Sequence, residues 1–248
     1  MRDFILKLLP GIVLLVVWEL LAINDKNILF LFSSPTQVIR VFFTEIQTSA
    51  MWHNIWVTFA EAGLGLIIGT ILGTIVGLLI CINDTLRKVL EPYLLILGAI
   101  PIFALAPMLI IWFGIGLMSK VFMAAFSVFL VALSQSYDGT KIAAEKYTLF
   151  AQSLGATRWQ MMYKIIFPGS LQWVISGIKM NIGLALLGAF IGEFVSSTAG
   201  LGYYILKEGS LFNMAGVLVG IILLTFLSLA MNIGLKLIKK YLLPMYNN

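Results

Sequence analysis

The chain has 248 residues; 60% are Ala, Val, Ile, Leu, Met, Phe, Trp, Tyr or Cys, only 11% are charged, and mean hydropathy is +1.02. A soluble domain carries about 25% charged and about 45–50% apolar residues, so this composition excludes a water-soluble enzyme and describes a polytopic membrane protein. The net charge of +5 does not mark a nucleic-acid partner, because Lys and Arg flank apolar stretches; one cysteine (Cys81) and one histidine (His53) exclude an internal disulfide and a His-based metal site.

Six apolar stretches occur in chain order: residues 4–23, 56–82, 92–113, 117–137, 172–195 and 214–235. Each is close to or above the roughly 20 residues of a spanning helix, and none alternates as a membrane β-strand does. The expected fold is all-α, a polytopic membrane protein with six transmembrane helices in one domain over residues 1–248. Pro10, Trp18 and Glu19 within the first stretch, and no Ala-x-Ala site before Asn24, favour a retained helix over a signal peptide.

The loop at about 24–55 holds Ser33-Ser34-Pro35-Thr36, a turn and helix-start signal, followed by Val38, Ile39, Val41, Phe42 and Phe43. A short surface helix is expected there. In the second stretch Gly65, Gly69, Gly73 and Gly77 recur every fourth residue, which lets two backbones meet closely in lipid. The neighbour could belong to the same chain or to a second copy.

Pro101 and Pro107 interrupt the third stretch and free backbone carbonyls, which suits either a cavity wall or a packed kink. Glu19, Glu61 and Glu193 lie within or beside spans, where a carboxylate must face protein, a cavity or an interface. For Glu19 an interior hydrogen bond suffices. Glu193, near the end of the fifth stretch beside Ser196-Ser197-Thr198, is a gate candidate. An anionic solute would be repelled by carboxylates, so backbone donors, hydroxyls or Lys179 would have to hold it.

With the N-terminus inside, twelve of the 16 Lys and Arg residues fall on the inner side and four, Lys26, Arg40, Lys120 and Lys207, outside. That bias places both termini in the cytoplasm. The loop at about 138–171 is then cytoplasmic, and Leu149 to Met162 within it can form a helix.

This loop resembles the signature of the permease subunits of binding-protein-dependent ABC importers: Glu-Ala-Ala, three residues, Gly, nine residues, Ile, one residue, Leu-Pro. Ala151, Gly155, Ile165 and Pro168 fit at the family spacing; Leu149, Phe150 and Phe167 depart from it. Ala151 and Gly155 stand one helical turn apart, so they would share a face open to another backbone, with Ala156, Trp159, Met161 and Met162 adding apolar surface. An amphipathic helix on the inner leaflet is the competing reading, and the loop's place between the fourth and fifth spans favours a coupling loop. Trp18-Glu19, Ser34 to Val38, Ile100-Pro101 through Pro107 to Gly116, Ser119-Lys120 and Ala199 to Tyr203 resemble the nitrate, sulfonate, taurine and bicarbonate group of permeases, which also includes importers of thiamin-pyrimidine precursors. Lys179 stands where Arg is commoner in that group, and Glu61 where a basic residue is common.

The resemblance implies the type I (MetI-like) permease architecture in a bacterial inner, cytoplasmic membrane. It implies transport without covalent chemistry, so no catalytic residue and no metal site belong to this chain. The implied partners are ABC ATPase subunits that bind the ATP and Mg, an extracellular solute-binding protein, a second permease copy giving a homodimer, and the lipid bilayer. The solute is expected to be a small organic or inorganic anion of the sulfonate, taurine or nitrate type, or a thiamin-pyrimidine precursor. No Gly-Lys pair occurs, so the phosphate-binding loop is absent and ATP must be bound elsewhere. The alternative is an ATP-independent secondary transporter, against which residues 1–124 and 125–248 show no clear resemblance to each other.

Overall fold

The computed structural model describes residues 2–82 and 84–242. Helix α1 (Arg2–Asn24) leads through α2 (Lys26–Phe32) to α3 (Pro35–Glu45), which starts where Ser33 to Thr36 predict. Pro35 has no N–H. The next two amides are taken by side chains: Glu19 Oε2 accepts from Thr36 N (3.0 Å) and Ser34 Oγ from Gln37 N (3.3 Å). Glu19 Oε1 also accepts from Thr36 Oγ1 (2.7 Å), and Trp18 Nε1 donates to Ser33 O (3.2 Å). Two of the sequence segments that carry the resemblance therefore touch. Glu19 ties α1 to α3.

The core is three long helices, α4 (Ser49–Ile82), α7 (Leu117–Ser153) and α9 (Phe167–Val195), with α11 (Met214–Leu242) beside them. The fourth-residue glycines set the spacing of the first pair. A Cβ on Gly65, Gly69, Gly73 or Gly77 would lie 2.3, 2.4, 2.4 or 2.6 Å from Ala124 Cβ, Ala125 O, Phe129 O or Leu133 O. All these atoms are on α7, so the close neighbour is in the same chain. The opposite face of α4, with Ile67, Ile68, Ile71, Leu72, Ile75 and Leu79, is exposed and wholly apolar, as lipid requires.

Three expectations are corrected. Residues 92–113 do not form one helix: α5 (Asp84–Gly98) and α6 (Ile102–Phe113) meet at 92°. Pro101 is the N-cap of α6, and the break falls where residue 100 is pushed out of helical backbone by the following proline. The second stretch begins earlier than residue 56: α4 extends back to Ser49, and Met51 is buried in the bundle core. Leu149 to Met162 is split, as described below. A further helix, α10 (Leu201–Ser210), lies antiparallel to the start of α11: a Cβ on Gly216 would meet Glu208, and one on Gly220 would meet Ile205.

Among the described residues, four helices are long and apolar enough to cross a membrane, five if the bent α5–α6 pair counts as one span, and Leu9–Asn24 of α1 is a shorter apolar helix. The architecture is all-α.

Candidate functional site

The end of the bundle expected to face inward is a helix–turn–helix. At about 1.5 Å per residue, α7 is about 55 Å long against a hydrocarbon layer of about 30 Å, more than one crossing needs, and its last turns are its polar part. They carry exposed Lys141, Glu145 and Lys146. The helix stops at a left-handed glycine: Gly155 has φ +74°, and Ala156 N donates back to Ala151 O at 3.0 Å. A new helix starts two residues later through a reciprocal cap, in which Thr157 N donates to Gln160 Oε1 (2.9 Å) and Gln160 N to Thr157 Oγ1 (3.3 Å). Helix α8 (Arg158–Met161) runs into a widened π turn (Met162–Ile166) and then α9. Pro168 is the second residue after that turn; a wider turn relieves the clash of its ring with the carbonyl four residues back, that of Lys164.

This arrangement changes what the motif residues do. Ala151 (3% exposed), Met161 and Ile166 form a small cluster with Ala156 and Ile165 at its edge, so they hold the two helices together. Ala151 and Gly155 do not share a helical face, because Gly155 lies beyond the end of α7. Gly155 is exposed, and a Cβ added there would meet nothing within 4 Å. Around it Leu149, Phe150 and Leu154 are 79%, 66% and 72% exposed. Trp159 points elsewhere. With Tyr163 and Phe167 it borders an apolar groove of about 260 Å³ against Ile75, Leu78 and Leu79, on the lipid-facing side of α4.

On α9, Gln172, Ser176, Lys179 and Gly183 are all exposed at helical spacing. Lys179 thus lies on an outer face that mixes these polar positions with exposed Trp173, Met180 and Leu187, unlike the wholly apolar outer face of α4. Pro101 and Pro107 are exposed as well, the first at the α5–α6 bend and the second inside α6.

The opposite end holds the densest polar cluster. Glu193 is 0% exposed, Glu61 2% and Lys120 4%. The Glu61 carboxyl faces that of Glu193, and Lys120, within electrostatic reach of both, donates from Nζ to Ile115 O. Glu193 Oε1 accepts from Thr58 Oγ1 (2.6 Å) and Oε2 from Gly202 N (2.6 Å). Neither Asn54, Thr58 nor Lys120 stands out in the sequence as part of this cluster. The available signal is the i, i+4 spacing of Asn54 and Thr58 at the head of an apolar run. Beyond α10, burial and then the Glu208 carboxylate push the Glu45 carboxyl up, with Lys207 opposing; burial, Glu45 and Glu208 also push the Tyr204 phenol up.

The fold and sequence have known relatives. The chain is 30% identical over 219 residues to a probable ABC transporter permease protein of Haemophilus influenzae, covering 88% of this chain and 89% of that one. It is 29% identical over 235 residues to the formylaminopyrimidine transport permease protein ThiX of Halalkalibacterium halodurans, with 94% and 92% covered. It is 26% identical over 239 residues to the taurine transport system permease protein TauC of Escherichia coli, with 94% and 86% covered. Among solved structures, an inward-facing MetNI methionine ABC transporter superposes with TM-score 0.60 at 18% identity, over 76% of this chain and 97% of that chain, so the fold is MetI-like. Residues 65–245, most of the length, match the family described as binding-protein-dependent transport system inner membrane component, and the chain belongs to that family of multi-pass ABC permeases.

Proposed function

We propose that this chain is the transmembrane subunit of an ATP-driven importer, coupled to a separate ATPase through the turn at Gly155. The observation that carries the reading is that turn: a left-handed glycine just past the end of a helix longer than one crossing needs, with three large apolar side chains, Leu149, Phe150 and Leu154, left uncovered on the residues before it. Leu149, Phe150 and Leu154 in a polar region mark a protein contact. ATP and Mg belong to that partner, and an extracellular solute-binding protein docks at the opposite end. Residues 1–248 act as one permease domain with both termini cytoplasmic.

A second copy completes the solute path. Support comes from the polar positions on the mixed outer face of α9, where Gln172, Ser176 and Lys179 would be costly against lipid and suit water or another subunit. Pro101 and Pro107, exposed near the α5–α6 bend, extend the candidate wall. The solute is a small anion or a thiamin-pyrimidine precursor; relatives named for formylaminopyrimidine and taurine transport support that range.

Orientation is the first test. In a Cys81→Ser background, Thr157→Cys and Lys207→Cys are each probed on intact cells with a membrane-impermeant thiol reagent. Labelling at 207 and not at 157 is expected. The reverse pattern would place Gly155 outside and end the coupling assignment.

A further inference from the structure

A buried helix start has leading amides that water cannot reach, so acceptors must come from elsewhere in the protein. Helix α10 is such a case. Its N-cap is Gly200, which has no side chain to offer, and Leu201 is 0% exposed. Three side chains from two other helices take its first three donors. Asn54 Oδ1 accepts from Gly200 N at 3.0 Å, Thr58 Oγ1 from Leu201 N at 2.8 Å, and Glu193 Oε2 from Gly202 N at 2.6 Å.

The three caps are one linked set. Asn54 and Thr58 lie one turn apart on α4, Glu193 lies in the last turn of α9, and the Thr58 hydroxyl donates to Glu193 Oε1. The carboxylate also sits at the positive end of the α10 dipole. The turn is shaped for this approach: Gly200 has φ +107°, and a Cβ there would lie 2.2 Å from Glu193 Cδ. At Gly202 a Cβ would lie 2.8 Å from Phe190 O.

We propose that Glu193, with Thr58 and Asn54, is a positioning device that locks α10 to α4 and α9, so that the outer helix bearing Lys207 moves with the bundle as the solute path opens and closes. Its seat cannot slip relative to α4 without uncovering the amides of Gly200 and Leu201, or relative to α9 without uncovering that of Gly202. The structural part stands on the contacts above; the part concerning motion rests on the importer reading.

The test uses the full complex in nanodiscs, with its ATPase and binding protein, and compares Thr58→Val and Glu193→Gln with wild type. Thr58→Val keeps the shape and removes the shared hydroxyl, so it remains informative if the Glu193 variant folds poorly. Hydrogen exchange at residues 200–204 should accelerate about tenfold or more, while the Gly65–Gly77 segment keeps wild-type protection. In the same samples, solute moved per ATP hydrolysed should fall at least about threefold, a change that mere structural support would not produce. Unchanged protection at 200–204 in both variants, protection lost equally across the bundle, or an unchanged ratio of transport to hydrolysis would each overturn the proposal. If wild type itself shows no ATP-driven uptake, the importer reading falls, and the exchange measurement alone decides whether these residues seat α10.

Discussion

Replacing Gly73 with leucine is expected to reduce folded protein at least tenfold, and Gly69→Leu to do the same. At Gly73 the first added carbon would already lie 2.4 Å from Phe129 O and 2.9 Å from Ala132 Cβ. The nearest obstacle is backbone, which cannot rotate away as a side chain can. Overpacking of a tight core costs about 1–3 kcal/mol, and separating two helices along a whole seam belongs at or above the top of that range. Since membrane helices associate mainly through packing, little else offsets the loss. Gly63→Ala is the control, because nothing lies within 4 Å of a Cβ there. Yield and monodispersity by size-exclusion chromatography check the prediction; wild-type behaviour of both leucine variants would mean that the α4–α7 seam is not close-packed.

Gly155→Glu should leave folding intact and weaken association with the ATPase about tenfold or more, which corresponds to about 1.4 kcal/mol. The position is open, so bulk causes no internal clash, and a side chain in left-handed backbone costs roughly 1–2 kcal/mol. The added carboxylate falls on the same exposed turn that follows Leu149, Phe150 and Leu154, and a partner docked on that turn would have to desolvate it. Gly155→Asn separates the causes, because asparagine tolerates the left-handed region and keeps the turn. It should retain most of the association. Co-purification at equal membrane abundance reads both variants; full ATPase binding by Gly155→Glu would show that this turn is not the contact.

Much of this fold is legible in the sequence because its signals are local. Ser34-Pro35-Thr36 starts α3, and four glycines at a fixed interval mark a close-packed face. Other features depend on partners far along the chain. α10 is short, mixes Tyr203, Lys207 and Glu208 with apolar residues, and has its start satisfied by Asn54, Thr58 and Glu193. Nothing near residue 200 announces those acceptors. Leu149 to Met162 misleads for a different reason: its apolar composition suggests one helix and outweighs a stop at Gly155 and a restart at Thr157-x-x-Gln160 that are both visible. Pro101 signals a break, yet the 92° angle comes from how α6 packs on α7 and α9 through Ala106, Leu109, Met123 and Ile191. At the candidate site, Gly155 is found through the resemblance of its loop to the importer signature. Its exposure, and the inward role of Ala151, need the three-dimensional turn.

In the importer proposed above, solute movement through this chain is driven by ATP hydrolysed on another. Proteoliposomes containing the permease, its ATPase and its binding protein, with each component and ATP omitted in turn, measure this directly as solute uptake alongside ATP hydrolysis. Uptake should require all of them, and adding the solute-loaded binding protein should raise hydrolysis. Uptake by the permease alone, driven by an ion gradient and indifferent to ATP, would contradict the account and identify a secondary transporter.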